Sequence, residues 1–471
     1  MRNDTERPFS LTLTQSDLRL QVVRLTGHEA LNQPYRFEVE LISLAPPIAP
    51  DTLLGQPVFL HLEDECGIHA IVHSVVISTP APRRAGYRLT LGPYLQFLEN
   101  GPQRRIFHRL DVTQILQCLL KDPAVPDHSY RFELPHGQYP SRPFCIQYEE
   151  SDLALLHRLC EEEGIHYHFE HHPQGHVLVF AEDAGSFPTQ PVALGFRAQA
   201  DSQPTVTRLY QRHRSTPPAP PLVCNDRGPR SADNHAANQP VESDEPQRLH
   251  SDPALAYRFQ AGRRGLERLR CRQRQIDGDG NHRALRSGEV VQLRDHPVSS
   301  FNDQWLITEI EHHGQQVSIL EASAGDTLAT RDYANRFSAI PWSTAFRPAL
   351  KHPRPELVGH HPGFLSGPAG QPVEPDEQGR ILVSLWHPDE QGIRVPLARL
   401  RLNETPSLMA GSEVLVSFLD GDPDRPVVCP GVLCAVPADI EATQQSAPEP
   451  VPAQNKDARL LFEWLLNPPT S

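Results

Sequence analysis

Histidine side chains cluster in one short stretch of the sequence, where they could hold a transition metal. Six histidines lie in the range His157–His176. Within it, His166 and His168 alternate along a strand-like stretch and share one face with Glu170. Imidazole and carboxylate groups are common ligands of zinc and related metals. A metal-dependent hydrolase that uses this cluster is therefore one hypothesis.

A simpler interpretation of the same alternation needs no metal. Ile165, Tyr167 and Phe169 would face a core, and the intervening histidines would face solvent or an interface. Ligand spacing alone neither orients a ring nor fixes its tautomer. We therefore predict no cofactor, no metal and no catalytic residue. If a metal did bind, its ligands would be His166, His168, Glu170 and His172.

Other motifs add no catalytic chemistry. The segment Asp277–Asn281 (DGDGN) resembles the start of a calcium-binding loop, but the sixth position is His282 instead of glycine and the twelfth is Gly288 instead of glutamate. The segment is predicted to form a turn. HExxH, GxSxG and P-loop patterns do not occur in the sequence. The sequence thus predicts that the chain is not an enzyme.

Composition restricts both the fold and the partners. The 471 residues include 48 prolines and carry a formal net charge of −14. So much proline favours short strands over long helices, and a net acidic chain repels phosphate, which argues against nucleic acid as a partner. No apolar stretch approaches the roughly 18 residues of a membrane span, and no apolar signal region begins the chain, so a soluble cytoplasmic product is expected. The eight cysteines form no CxxC pair and are expected to be free thiols.

Alternation of apolar and polar residues predicts strands along much of the chain. Tyr35–Leu41 and Gly86–Leu91 are two examples. Two short helices are expected between strands, one over residues 112–120 and one that begins after Ser151 as its N-cap and ends at Gly164. Later strand candidates are Glu289–Leu293, Gln304–Ile310, Gly379–Trp386 and Ser412–Leu419.

Two segments contain few residues that could form a core. Residues 203–247 are polar and proline-rich and are predicted to be a linker, with a short helix at Gly265–Gln273 after it. Beyond Ala435 the chain is rich in Pro, Ala, Glu and Gln and ends in a short helix candidate, Asp457–Leu466. The apolar side chains of that helix either dock a cargo or adaptor protein or pack back on the chain's own assembly. These docking candidates are Leu460, Leu461, Trp464 and Leu465.

Several segments resemble, in the same order, segments of one known family. They extend over about residues 5 to 435. The segments include Phe144–Leu153 (FCIQYEESDL), Trp305–His312 (WLITEIEH), Tyr333–Phe337 (YANRF), Gly411–Val416 (GSEVLV) and Phe418–Pro426 (FLDGDPDRP). Together they resemble the VgrG family, the tip and spike proteins of type VI secretion systems.

The resemblance implies a structural protein with a mainly β fold, in which two similar β-barrel hub domains with short helices precede an OB-fold barrel and a short tail. It also implies a homotrimer that caps the hexameric Hcp tube and carries effectors out of the cell when a sheath contracts. Baseplate proteins and PAAR-type tip, effector or adaptor proteins would be further partners, without nucleic acid or a membrane span. The protein would be cytoplasmic until assembled and then secreted. The baseplate hub of a phage tail or tailocin is an alternative with nearly the same fold.

Domain limits follow from these segments. Only 36 residues follow Ala435, so a short form that lacks the family's long C-terminal β-repeat needle is expected. The predicted domains are a first hub region at 1–188, a linker at 189–247, a second hub region at 248–350, an OB-fold domain at 351–435 and a flexible tail with a terminal helix at 436–471.

Overall fold

The chain divides into two compact units. The first contains the chain up to His360 together with Ser417–Val427, and the second contains His361–Val416 and the residues from Val428 onward. The structure, a computed structural model, describes residues 9–16, 18–44, 48–63, 66–81, 84–198, 204–215, 253–316, 331–368, 370–388, 391–397 and 408–429. Among the helices in these ranges, none is both long and apolar enough to cross a membrane.

The first unit begins with a closed ring of six strands. The strands are β1 (Ser10–Leu13), β2 (Arg19–Ala30), β3 (Gln33–Leu44), β4 (Pro57–His61), β5 (Gly67–Ala81) and β6 (Arg84–Gly92). Their order around the ring is β1-β2-β3-β6-β5-β4, and β4 returns to β1, with every pairing antiparallel. In β3, Tyr35, Phe37, Val39 and Leu41 are buried inside the ring. The alternation predicted for this strand is confirmed.

A smaller region of helices and strands follows the first ring. Its elements are β7 (Gln103–His108), α1 (Val112–Leu120), β8 (Tyr130–Glu133), β9 (Phe144–Glu150), α2 (Asp152–Glu163), β10 (His166–His172) and β11 (Gly175–Ala181). Asp111 caps α1 by accepting from the backbone N–H of Gln114 at 2.9 Å, and Ser151 caps α2 by accepting from the N–H of Ala154 at 3.1 Å. Gly164 ends α2 with φ of 68°, a left-handed conformation that glycine adopts without strain. Both predicted short helices are confirmed.

A second closed ring of six strands also lies in the first unit. Its elements are β12 (Val192–Phe196), β13 (Thr205–His213), α3 (Pro253–Gln273), β14 (Arg274–Gly280), β15 (Val290–Arg294), β16 (Gln304–Gln316) and β17 (Arg331–Pro341). The order around this ring is β12-β13-β14-β17-β16-β15 and back to β12. Counted from each ring's own first strand, both orders are therefore 1-2-3-6-5-4. The rings differ in that first strand, because β12 runs parallel to both neighbours and β1 runs antiparallel to both of its own.

One shared strand pairing joins the rings into a 12-stranded sheet. β2 pairs with β1 through Arg19–Gln21 and, beyond Val23, with β16 through Arg24–Ala30. β16 pairs with β15 through Gln304–Leu306 and, beyond Thr308, with β2. The register shifts at Val23 and Thr308 mark β-bulges, which bend a strand and so allow it to leave one partner for another. We call the β2–β16 pairing the seam.

Five further strands form a small sheet of their own. They are β18 (His360–Leu365), β19 (Arg380–Leu385), β20 (Ile393–Pro396), β21 (Glu413–Phe418) and β22 (Pro426–Cys429). Their order is β20-β19-β18-β21-β22, and a parallel bridge between Leu397 and Val428 connects the two ends. This closure is typical of the small five-stranded barrel that the sequence predicts here.

Part of the predicted linker is sheet. Two strands, β12 and β13, lie inside the range 189–247. They form sheet because Val206 and, in part, Val192 and Leu209 are buried in the core of the second ring. The linker prediction is therefore wrong for these strands. The remaining residues 216–252 and the predicted tail lie outside the described residues, as do the docking candidates Leu460, Leu461, Trp464 and Leu465. The domain limits stay predictions.

Two local predictions need correction. The helix predicted at Gly265–Gln273 is confirmed, but it begins earlier and spans Pro253–Gln273. The predicted turn at Asp277–Asn281 is largely strand, since residues 277–280 belong to β14. Gly278 is needed there because a Cβ atom on it would lie 2.4 Å from the ring of Phe337 on the paired strand.

Candidate functional site

The interior of the seam holds a chain of three polar side chains. Glu29 lies on β2, His312 on β16 and Tyr333 on β17. The His312 ring is fully buried, with Nε2 2.8 Å from Oε1 of Glu29 and Nδ1 2.7 Å from the Tyr333 hydroxyl. Burial lowers the pKa of His312, so we assign a neutral ring that donates from Nε2 to Glu29 and accepts the Tyr333 O–H at Nδ1. These bonds connect a strand of the first ring to two strands of the second.

The loop that precedes β15 extends this network. Nε of Arg286 lies 3.9 Å from Oε1 of Glu29, and the Arg286 backbone N–H donates to Oε2 of Glu289 at 3.1 Å. Burial raises the pKa of Glu289 to about 7. Because Glu29 and His312 have almost no contact with solvent, we infer that the network holds the seam together.

The structure separates the four residues predicted as possible metal ligands. Glu170 forms a two-pronged ion pair with Arg131, at 2.6 and 2.7 Å, and this hydrogen bonding lowers the pKa of Glu170. His172 is exposed, and the ring of His166 stacks on Phe187 with a centroid distance of 4.8 Å. Across the described ranges, no group of three or more His, Cys, Asp or Glu side chains could hold a metal ion. The four residues therefore do not meet in one site.

Burial corrects the predicted orientation of two of these histidines. His166 and His168 are only 1% and 3% exposed, so the prediction that they face solvent or an interface is wrong. Ile165 and Tyr167 pack in a core on one side of β10, and Phe187 covers the histidines on the other side. Burial lowers the pKa of both rings, to about 4 for His168. Both histidines are thus neutral residues of a two-sided core.

Two other histidines meet although the sequence carries no signal for their contact. Nδ1 of His69, on β5, lies 2.9 Å from Nδ1 of His176, on β11. The backbone N–H of Tyr94 donates to Nε2 of His176 at 3.1 Å. Burial lowers the pKa of His69 to about 4. The pair is 107 residues apart in sequence, so no local spacing predicts it, and it attaches the region of α1 and α2 to the first ring.

In both rings, one strand continues past a bulge into a long segment that pairs on a single side. In β13, Thr205–Val206 pair with β12, a bulge follows, and Arg208–His213 pair with β14 alone. In β5, Gly67–Ile71 pair with β4, a bulge follows at His73, and Ser74–Ala81 pair with β6 alone. No described strand pairs with the second side of either segment. We call Arg208–His213 and Ser74–Ala81 the free edges.

The free edges repeat the pattern of the seam. β13 is the second strand of its ring, as β2 is of the first, and β5 is the fifth strand of its ring, as β16 is of the second. In all four strands, the part before the bulge pairs with two strands of its own ring, and the part after the bulge pairs with only one of them. The seam thus pairs the second strand of the first ring with the fifth strand of the second ring. The free edges lie on the remaining fifth strand, β5, and the remaining second strand, β13.

Comparisons with known proteins agree with this architecture. Residues 28–318 match the family model of the phage tail baseplate hub (GPD). Relatives include the type VI secretion system spike proteins VgrG5 and VgrG4b of Pseudomonas aeruginosa, which are 37% and 35% identical over 89% and 93% of this chain. The chain spans 56% and 58% of the lengths of those two proteins. The actin cross-linking toxin VgrG1 of Vibrio cholerae is 27% identical over 84% of this chain, which spans 38% of that protein.

Solved structures share the fold. The Escherichia coli c3393 protein, a type VI secretion component similar to the phage T4 tail proteins gp27 and gp5, has a TM-score of 0.65 and 22% identity, covering 87% of this chain and 96% of that one. A chain of the lidded PdpA-VgrG complex of Francisella has a TM-score of 0.55 and 8% identity, covering 91% of this chain and 71% of that one. The chain therefore belongs to the phage tail baseplate hub (GPD) family and is homologous to the VgrG spike proteins of type VI secretion systems.

Proposed function

We propose that this chain is the hub and spike base of a type VI secretion system, in which three copies cap the hexameric Hcp tube and leave the cell with effectors when the sheath contracts. The observation that carries the proposal is the duplicated ring, two six-stranded rings of one strand order joined side by side. Three copies supply six similar rings. A threefold assembly can therefore place one ring against each of the six subunits of the tube. Baseplate proteins and a PAAR-type tip or an effector or adaptor protein would be the further partners.

The free edges offer a means by which the copies join. Inside one chain, the second strand of the first ring pairs with the fifth strand of the second ring. If the same relation continues between copies, β13 of one copy pairs with β5 of the next. Unpaired strand edges favour such addition, and three contacts of this kind would close a ring in which both free edges of every copy are paired.

The seam also predicts the register of this pairing. Arg24 is the first residue after its bulge and pairs with Gln315, the seventh residue after the other bulge. If each residue is numbered from the bulge of its own strand, the two numbers add up to eight in every pair of the seam. Applied to the free edges, this rule places Arg212 opposite Val76. Val76 is 55% exposed in the single chain, and the pairing would cover it.

A cysteine pair tests both the assembly and the register. Residues directly opposite in antiparallel strands have Cβ atoms about 5 Å apart, so Arg212→Cys combined with Val76→Cys should give covalent dimers and trimers under mild oxidation. The matched control combines Arg208→Cys with Val76→Cys, four residues out of register, and should remain uncrosslinked. Each single variant controls for the native thiols, of which Cys118 is exposed.

The outcomes separate the two parts of the proposal. Light scattering should show the unmodified chain as a trimer, alone or together with purified Hcp. If the chain forms a trimer but the opposed cysteines do not crosslink, the proposal of a trimeric hub stands and the proposed strand register is rejected. A chain that stays monomeric even with Hcp would reject the hub.

The baseplate hub of a phage tail or tailocin is the second candidate, and the description of the matched family model favours it. Export distinguishes the two. A type VI hub should reach the medium only in cells that carry intact Hcp and sheath genes, whereas a phage-tail hub should leave the cell only as part of tail particles. The docking candidates Leu460, Leu461, Trp464 and Leu465 remain a proposal for effector or adaptor binding.

A further inference from the structure

A cavity of about 560 Å³ lies next to the seam, at the turn between β2 and β3. Its walls come from that turn, α2, the C-terminal part of α3, the bulge of β16 and the segment 346–352. This volume is typical of pockets that enclose several ligand groups and is far larger than a single ion requires.

Positive charge dominates the walls of the cavity, because five arginine and lysine side chains but only two carboxylates, those of Glu161 and Glu309, line it. Glu161 accepts from the Lys351 and His352 backbone N–H groups at 2.7 and 2.8 Å and from the His352 ring at 2.8 Å. Glu309 pairs with His28 at 2.9 Å. The cationic side chains that line the cavity are Arg214, Arg268, Arg272, Arg347 and Lys351.

The carboxylates compensate this positive charge only in part, since Arg347 is the only one of the five cations with an ion pair within the described ranges. Arg268 is half-buried and donates to the backbone carbonyls of Pro348 at 2.7 Å and Glu161 at 2.6 Å, which carry no net charge. Arg214, Arg272 and Lys351 are exposed, and within the described ranges none of the three forms an ion pair. A cavity with one cation in its wall and three at its rim is electrostatically suited to an anionic ligand.

We propose that this cavity binds an acidic peptide segment of a partner protein, with Asp or Glu carboxylates on Arg268 in the wall and on Arg214 and Arg272 at the rim. Guanidinium groups bind carboxylates in two-pronged pairs, which gives the arginines the geometry for this task. Leu31, Pro34 and Phe346 line the same cavity and would contact the apolar side chains of the segment. The charge and the apolar surface together match an amphipathic acidic peptide.

The helix end at the cavity favours a peptide over free phosphate. Phosphate sites commonly use the positive N-terminal end of a helix, but α3 contributes its C-terminal end, where Cys271 and Arg272 line the wall, followed by Gln275 of β14. Carbonyl groups at a helix C-terminus repel a compact, multiply charged ion. They can accept hydrogen bonds from the N–H groups of a peptide. Binding would be a property of the single chain, so it does not depend on the assembly of a hub.

A random dodecapeptide display library, selected on the full chain, tests the proposal. We expect the selected peptides to be enriched in Asp and Glu together with apolar residues. A synthetic copy of the best peptide should then bind Arg214→Gln/Arg272→Gln about tenfold more weakly than the wild type, since two rim charge pairs are lost. The charge-matched control Arg270→Gln/Arg294→Gln changes exposed arginines that do not line the cavity and should bind like the wild type.

Inorganic phosphate serves as the competing probe. Millimolar phosphate at constant ionic strength should leave peptide binding unchanged. Selected peptides without acidic enrichment, or equal binding by the two double variants, would overturn the proposal. So would a selection without any enriched peptide, or a titration in which phosphate binds the wild type and displaces the peptide.

Discussion

Nε2 of His312 lies 2.8 Å from Oε1 of Glu29, and this contact joins β16 of one closed ring to β2 of the other. The residues are 283 positions apart in sequence. The contact is enclosed, since His312 is 0% and Glu29 3% exposed. The seam thus combines a backbone ladder with a buried hydrogen bond that is strong because water cannot compete for it.

The buried acceptor should matter more than an exposed one on the same strands. Glu29→Ala leaves Nε2 of His312 without an acceptor, and we expect the free energy of unfolding to fall by about 2–3 kcal/mol, measured by urea denaturation. Glu309→Ala is the control, because its side chain is 51% and that of His28 36% exposed, and should cost less than about 1 kcal/mol. Equal losses would contradict a special role for the buried contact.

Glu289 should make stability depend on pH near neutrality. Burial raises its pKa from 4.5 to about 7, so between these values the folded chain keeps a proton that the unfolded chain has released. Its contribution to stability is therefore complete below pH 4.5 and is lost as the pH rises through 7.

Glu289→Gln removes this titration while it preserves the side chain's shape. Between about pH 5 and 8 the variant should gain at least about 1 kcal/mol of stability relative to the wild type, measured by chemical denaturation at each pH. Glu311→Gln, on β16, is the control and should show no such trend. A constant difference between Glu289→Gln and wild type would refute the prediction.

His168 should weaken the fold in acid. Burial lowers its pKa from 6.5 to about 4, so in this window the unfolded chain binds a proton that the folded chain does not. This stability is present above pH 6.5 and is lost as the pH falls through 4. Between about pH 7 and 4.5, the wild type should lose roughly 1–3 kcal/mol more than His168→Leu. His172→Leu changes an exposed residue on the same face of the strand, four positions after His168. This variant should lose as much stability between the two pH values as the wild type does.

Gly27 should tolerate no side chain. A Cβ atom there would lie 2.1 Å from the ring of Phe37, which is fully buried on the paired strand β3. Gly27→Ala forces the ring or the strand to move, and we expect a loss of about 1–3 kcal/mol, seen as a lower melting temperature. Gly175→Ala, where no atom lies within 4 Å of the new Cβ, is the control. Similar melting temperatures for the two variants would show that the first ring repacks without cost.

Local patterns in the sequence were sufficient for individual elements. Tyr35, Phe37, Val39 and Leu41 alternate in sequence and are all buried in β3, because a strand directs every second side chain to one face. The N-cap of α2 and its end at Gly164 also follow from local chemistry, since each satisfies backbone groups within one helical turn. Ordered motifs over most of the chain were sufficient to indicate the family.

Partners remote in sequence were decided by the tertiary structure alone. Alternation shows that His166 and His168 share a face, but only Phe187 and its neighbours, packed against that face, make it a second core. The apolar residues of β13 are too few to indicate a strand until the second ring surrounds them. Strand order, the repeated bulges and the Glu29–His312 contact depend on pairing between strands that can be hundreds of residues apart. Local periodicity carries no information about which distant strands pair.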